Sequence, residues 1–193
     1  MANEIRDFFD ERAEAWDDHA DDDLSFVRIL FEKIGIRKGD RVLDLACGTG
    51  VVTGLLHELS GAPVLGIDIA PKMIEVAKRK YGGKDYASFL AMDFLDYGGE
   101  PFDVIVIYNA YPHFVDVDAL VHKLSACLKE GGRAAIIHSA GRKALEKHHH
   151  GLSHSISRNL LLVKEEIAPF LKEFDPVAYD EGEDRYYFVL AKK

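Results

Sequence analysis

Four stretches of this chain end an apolar run on a residue that can do chemistry. Val42, Leu43, Leu45 and Ala46 surround Asp44, and glycines follow at 48 and 50 around Cys47 and Thr49. A turn without side chains at 48 and 50 lets a ligand approach the backbone closely. The helical spacing of Val51, Val52, Leu55 and Leu56 then points free N–H groups at the same place. A carboxylate at Asp44 is costly unless it is hydrogen-bonded or meets a polar or cationic ligand. Asp68 ends the next run, Pro63 to Ile69, about 20 residues beyond the turn. At that interval an acid can accept from both hydroxyls of a ribose, or it can cap the following helix. Asp93 ends a third run, Tyr86 to Met92. The fourth, Phe102 to Tyr108, leads into Asn109-Ala-Tyr-Pro-His-Phe114, where Asn109, Tyr111 and His113 offer polar groups.

These positions require strands feeding helices at one edge of a sheet. Buried runs separated by helical patterns predict an α/β fold with a parallel sheet. Helices are expected over residues 1–20 (Ile5, Phe8, Phe9, Ala13, Trp16) and from Leu24 to Ile34, ended by Gly35. Further helices follow the glycine turn, run from Pro71 to Lys80 and run from Asp116 or Val117 to Lys129, closed by Gly131-Gly132. Arg133 to Ser139 reads as a fifth strand, with His138 at its carboxyl edge. A Leu- and Ile-rich helix is expected at about 160–173, then strands near 177–180 and 185–191 in a hairpin. In open sheets of this kind ligands sit outside the carboxyl ends of the strands, near the point where strand order reverses.

The glycine turn is not a dinucleotide fingerprint. That pattern needs G-x-G-x-x-G, but position 53 is Thr, and Asp44 would serve a pyrophosphate poorly. Instead "VLDLACGTG" closely resembles the first motif of the class I S-adenosylmethionine (SAM) methyltransferases. The resemblance extends over roughly residues 8–193 and is strongest from 41 to 114. It implies a three-layer αβα Rossmann-like methyltransferase fold, with a seven-stranded, mostly parallel sheet and an antiparallel last strand. It implies one domain, 1–193, with residues 1–36 as a helical lid and 37–193 as the core.

It also implies roles. SAM is the expected cofactor, with Asp44, Ala46, Cys47, Gly48, Thr49 and Gly50 at its methionine end. Asp68, with Ile69 and Met73 beside it, would take the ribose. Asp93 would accept from the adenine amino group and Phe94 would pack on the ring, with Asp96 as a competitor for the amino contact. Asn109 lies where the methyl group would be. "FFDERAEAWD" resembles the segment that covers the site in many small-molecule methyltransferases, making Phe9, Trp16 and His19 lid candidates. No Asn-Pro-Pro-Tyr-type motif is present at the fourth strand, and two cysteines cannot supply the thiols of arsenic methylation.

Composition limits the alternatives. With 193 residues, 48% apolar and 30% charged, the chain suits one globular domain. A net charge of -9 disfavours general affinity for nucleic acid. No apolar run reaches membrane-spanning length, and the first residues lack a signal-like apolar stretch. Two cysteines make no disulfide framework, so a cytoplasmic setting is expected. The expected partner is a small-molecule methyl acceptor, for a monomer or homodimer.

Methyl transfer is a displacement that needs alignment and exclusion of water, and a base only if the acceptor carries a proton. His113 is the first candidate base, His138 the second, and Tyr111 joins His113 on the pocket floor. Each histidine could equally be a hydrogen-bonded structural residue. The stretch 141–154, with His148, His149, His150 and His154, is expected to wall the acceptor pocket. No metal site is expected, because adjacent histidines on a helix diverge. The alternative function is a non-catalytic SAM-sensing or interaction module on the same fold.

Overall fold

A computed structural model describes residues 2–19, 24–149 and 151–193, without the side chains of Ala2, His19, His148 and His149. The acidic run at 21–23, His150 and the side-chain roles expected of His19, His148 and His149 lie outside the described residues.

Seven strands form one sheet in the order β3-β2-β1-β4-β5-β7-β6. They are β1 Val42–Leu45, β2 Val64–Asp68, β3 Ala87–Ala91, β4 Phe102–Tyr108, β5 Leu128–His138, β6 Phe174–Glu181 and β7 Tyr186–Lys192. The first five pair in parallel, and β7 runs antiparallel to both β5 and β6.

The helices are α1 Ala2–Asp10, α2 Ser25–Glu32, α3 Thr53–Ser60, α4 Pro71–Lys80, α5 Val117–Cys127, α6 Arg142–His149 and α7 Val163–Ile167. Side chains alternate across the strands, which gives two apolar faces. Leu43, Leu45, Ile105, Ile107, Ile136 and Phe188 face a core with Leu120, Leu124 and Ile167 from α5 and α7. Val42, Val104, Val106, Ile137 and Val189 face another with Val27, Phe31, Leu55 and Leu56 from α2 and α3. Helices on both faces make three layers, as expected of a parallel sheet buried on both sides.

The register aligns the functional edge. Leu45 lies opposite both Ile67 of β2 and Ile107 of β4. Asp68 pairs with Ala91, and Tyr108 with Ile137. The chain therefore leaves β1, β2, β3, β4 and β5 at one edge, bringing the glycine turn, Asp68, Asp93, Asn109 and His138 to it. The reversal point lies between β1 and β4.

Several boundaries differ from expectation. The expected first helix is α1 followed by a 3-10 helix over Ala13–His19. β5 starts at Leu128, and Gly131 and Gly132 lie within it rather than closing the preceding helix. The register shift between Phe102 and Val104 accommodates these glycines opposite β4. The Leu-rich helix begins only at Val163 and continues as a 3-10 helix over Ala168–Lys172.

Candidate active site

The glycine turn is held from both sides. Asp44 alternates with Leu43 and Leu45 and so faces the α2–α3 layer, where Thr53 at the start of α3 donates its hydroxyl to Asp44 Oδ2 at 2.6 Å. Burial pushes the Asp44 carboxyl up to about 7, against the Thr53 hydrogen bond and with the nearby charge of Asp68. Ala46 has φ 57°, the left-handed region that an L side chain enters at a cost, and such strain collects at functional turns. The N–H of Cys47 then donates to the Ile67 carbonyl at 3.1 Å. The Cys47 thiol is buried, which drives its pKa well up and keeps it a packing group.

Gly50, at φ 78°, could not carry a side chain. A Cβ there would meet the Tyr81 ring at 2.9 Å. From the end of α4 the Tyr81 hydroxyl donates to the Gly50 carbonyl at 2.8 Å and accepts from the Gly54 N–H at 3.0 Å. Nothing local in the sequence marks Tyr81 for this role.

Asp68 sits across the turn. One oxygen accepts from Gly48 N–H at 2.8 Å and the other from Ala70 N–H at 2.9 Å. Burial raises its pKa to about 6, opposed by those N–H donors and assisted by Asp10. Asp68 therefore combines the capping alternative with contact to the glycine turn. Each carboxylate oxygen keeps a second lone pair for a further hydroxyl donor.

The N-terminal segment covers this turn. Asp10 accepts from Lys72 N–H at the start of α4, and Glu14 pairs with Arg79. Ala13 and Phe9 pack on Ala70 and Met73. Thr49, fully buried, donates its hydroxyl to Asp17 at 2.5 Å, and Lys80 holds the other oxygen of Asp17 at 2.9 Å. Trp16 comes over Gly48: a Cβ there would have the indole nitrogen at 3.9 Å and the Met73 sulfur at 4.0 Å. The Phe9 ring stands edge-on to Trp16 at 5.5 Å and to His113 at 4.9 Å. Three aromatic rings thus run from the glycine turn to the end of β4.

At the end of β4, Asn109 has φ 52°, which asparagine tolerates. Its side chain accepts from Ser139 N–H at 3.0 Å and donates to the Ser139 hydroxyl at 3.1 Å, tying β4 to β5. Two residues later the chain forms a 3-10 turn, Tyr111–His113. His113 is partly buried, and its Nδ1 lies 2.8 Å from the Ile156 carbonyl.

Other expected residues have different surroundings. Tyr111 is a core residue, not a pocket floor: it is fully buried, donates its hydroxyl to Glu166 at 2.9 Å, and packs on Phe188. Its phenol is driven up by burial, far from a usable acid. His138, the second candidate base, is fully buried edge-on to Tyr186, its register partner on β7, which places it in the core rather than at an open pocket. Phe94 turns into the main core beside Tyr97 and Phe102 rather than outward onto a ring. Leu95, 47% exposed, is the apolar side chain that projects beside Asp93. Asp93 itself accepts from Leu95 N–H at 2.9 Å. Ile69 is partly buried next to Asp68, and Met73 is buried beneath the turn.

The sequence reading missed Arg158 and Glu166. Glu166 accepts from Arg158 at 2.7 and 2.9 Å, from Leu161 N–H at 2.8 Å and from Tyr111. Burial would raise its carboxyl, but Arg158 and the Leu161 N–H hold it below the usual range. The signal available was a lone Arg before an apolar run, which by itself specifies no partner.

A parallel sheet with helices on both faces and a glycine turn at the reversal point define a Rossmann-like α/β domain. The comparisons give the family. Residues 42–132 match the family model described as a methyltransferase domain. Methyltransferase GfsG of Streptomyces halstedii is 32% identical over 61% of this chain and 44% of its own length. Demethylmenaquinone methyltransferase of Symbiobacterium thermophilum is 31% identical over 67% of this chain and 56% of its own. The chain spans about half the length of these curated relatives. Magnesium protoporphyrin IX methyltransferase from Synechocystis PCC 6803, solved with bound SAH, superposes with a TM-score of 0.74 at 17% identity, covering 100% of both chains, and shows the shared fold. Residues 42–132 thus match a methyltransferase domain, on the Rossmann-like fold that the chain shares with solved methyltransferases.

Proposed function

We propose that this chain is a SAM-dependent methyltransferase that acts on a small-molecule acceptor. The observation that carries the reading is Asp68, which joins the Gly48 N–H on one side of the strand edge to the Ala70 N–H on the other. The donor set fits SAM better than a phosphate-bearing cofactor. Asp10, Asp17, Asp44 and Asp68 gather around the turn, and Asp44 and Asp68 are buried. Such a site disfavours phosphate and favours hydroxyls and cationic groups.

Gly48 and Gly50 would receive the methionine end, Asp68 the ribose hydroxyls, and Asp93 with Leu95 the adenine. When bound, SAM supplies an electrophilic methyl group on a sulfonium, with a neutral thioether as leaving group. The chain supplies orientation and exclusion of water. Trp16 and Phe9 act as a lid, held down by the Thr49–Asp17–Lys80 contacts. His113, at the far end of the aromatic row, takes a proton from acceptors that carry one.

The named relatives include enzymes of quinone methylation, which supports a small molecule as acceptor. Among the described residues no helix is long and apolar enough to cross a membrane. The test is an acceptor panel, quinols and other phenols, amines and carboxylic acids, read by S-adenosylhomocysteine formation. Turnover with one class supports the reading and names the attacking atom. Tight SAM binding with no transfer to any member would favour a sensing module instead.

A further inference from the structure

The segment after α6 returns to the end of β4 and grips it. Arg158 donates its main-chain N–H to the Pro112 carbonyl at 3.0 Å and its Nε–H to the Phe114 carbonyl at 3.3 Å. Its guanidinium lies over the Tyr111 ring, 4.5 Å from the centroid. Arg158 therefore brackets the whole 111–114 turn. Glu166, 2% exposed, takes both terminal nitrogens of Arg158 and so fixes the guanidinium in one plane. A guanidinium fork on a buried carboxylate has one geometry, unlike a lysine ammonium.

Two residues before Arg158, the Ile156 carbonyl meets His113 Nδ1 at 2.8 Å. A carbonyl can only accept, so the Nδ1 of His113 carries the proton. In a neutral imidazole the other nitrogen, Nε2, is then the basic one. Which nitrogen is basic is thus decided by where Ile156 sits, and Ile156 sits where Arg158 anchors its segment.

We propose that Arg158 is a positioning residue: held by Glu166, it seats the Ile156 carbonyl against His113 and fixes that imidazole as the Nδ1–H tautomer. The role matters for transfer because it rests on His113 being the group beside the acceptor. Its test needs neither cofactor nor acceptor, so failure of SAM binding would overturn the function and leave this proposal standing.

The experiment is nitrogen-detected NMR of the full chain labelled with 15N-histidine. It is run at about pH 8.5, where ordinary imidazoles are neutral, with His113 assigned by loss of its signals in His113→Gln. The unsubstituted chain should show the proton of His113 on Nδ1. Arg158→Lys keeps the charge facing Glu166 but loses the fork and the Nε donor, and the Nε2–H form should rise to about a tenth or more of the population. Tyr111→Phe removes another donor to Glu166 while leaving the Arg158 contacts, and should keep the original tautomer. A proton on Nε2 in the unsubstituted chain would overturn the proposal. So would an unchanged tautomer in folded Arg158→Lys, or an equal change in Tyr111→Phe. If circular dichroism shows Arg158→Lys unfolded, Glu166→Gln takes its place with the same two readings. Once an acceptor is known, Arg158→Lys should lower kcat with KM for SAM unchanged.

Discussion

The hydroxyl of Tyr81 donates to the carbonyl of Gly50 across 2.8 Å, and it accepts from the Gly54 N–H as well. One side chain from the end of α4 thus closes the glycine turn from behind. Tyr81→Phe leaves the ring in place and strands both backbone groups. It should cost about 1–3 kcal/mol of stability, read by urea denaturation, and weaken SAM binding in calorimetry. An unchanged affinity would mean that the turn keeps its shape without Tyr81.

Trp16 is the only tryptophan of the chain, and its indole nitrogen would lie 3.9 Å from a Cβ at Gly48. Its fluorescence should therefore change on adding SAM, with no change in Trp16→Phe. Asp17→Ala removes the acceptor of Thr49 and the partner of Lys80. Stopped-flow should then show faster SAM dissociation than in the unsubstituted chain. A silent Trp16 would contradict the lid.

Asp44 and Asp68 have folded pKa values raised to about 7 and about 6 from a usual 3.8. Between those values the unfolded chain has lost protons that the folded chain keeps. Their contribution to stability is thus full below the usual value and is lost as pH rises through about 6 and 7. Hydroxyl donors and a cationic ligand favour the charged carboxylates, so SAM affinity should climb over the same range and level off above it. Calorimetry in buffers of different ionisation enthalpy should record proton release near pH 6. Affinity independent of pH, with no proton released, would contradict this.

Glu166 titrates in the opposite sense. Its folded carboxyl lies below the usual 4.5, so its contribution is present above that value and is lost as pH falls through the lower one. Arg158→Met would leave Glu166 buried with its main partner gone and should cost about 3–5 kcal/mol. Denaturation at neutral pH checks the loss. A change near zero would mean that Glu166 reaches water.

The strands and the acids at their ends were legible in the sequence because both are local patterns. Asp44 interrupts and Asp68 ends a buried run, Asp93 follows the edge strand β3, of which only Phe89 is buried, and the parallel register carries all three to one edge. Side-chain direction in the short turns was not legible. Phe94 and Tyr111 each open a three-residue 3-10 turn. A piece that short shows no period to reveal which of its residues face inward. The contacts of Tyr81 with Gly50, 31 positions away, and of Glu166 with Tyr111, 55 away, exist only after folding. The early start of β5 was hidden by Gly131-Gly132, which reads as a helix end yet lies within the strand.

In the proposed function the turn at 46–50 and Asp68 together hold SAM. Titration calorimetry of the full chain with SAM, and of its Asp68→Ala variant, tests it directly. Saturable one-to-one binding is expected, weakened in Asp68→Ala by roughly 1–3 kcal/mol, the cost of leaving hydroxyl and backbone donors unpaired. No binding of SAM alongside tight binding of NAD, or SAM affinity unchanged in the variant, would contradict it.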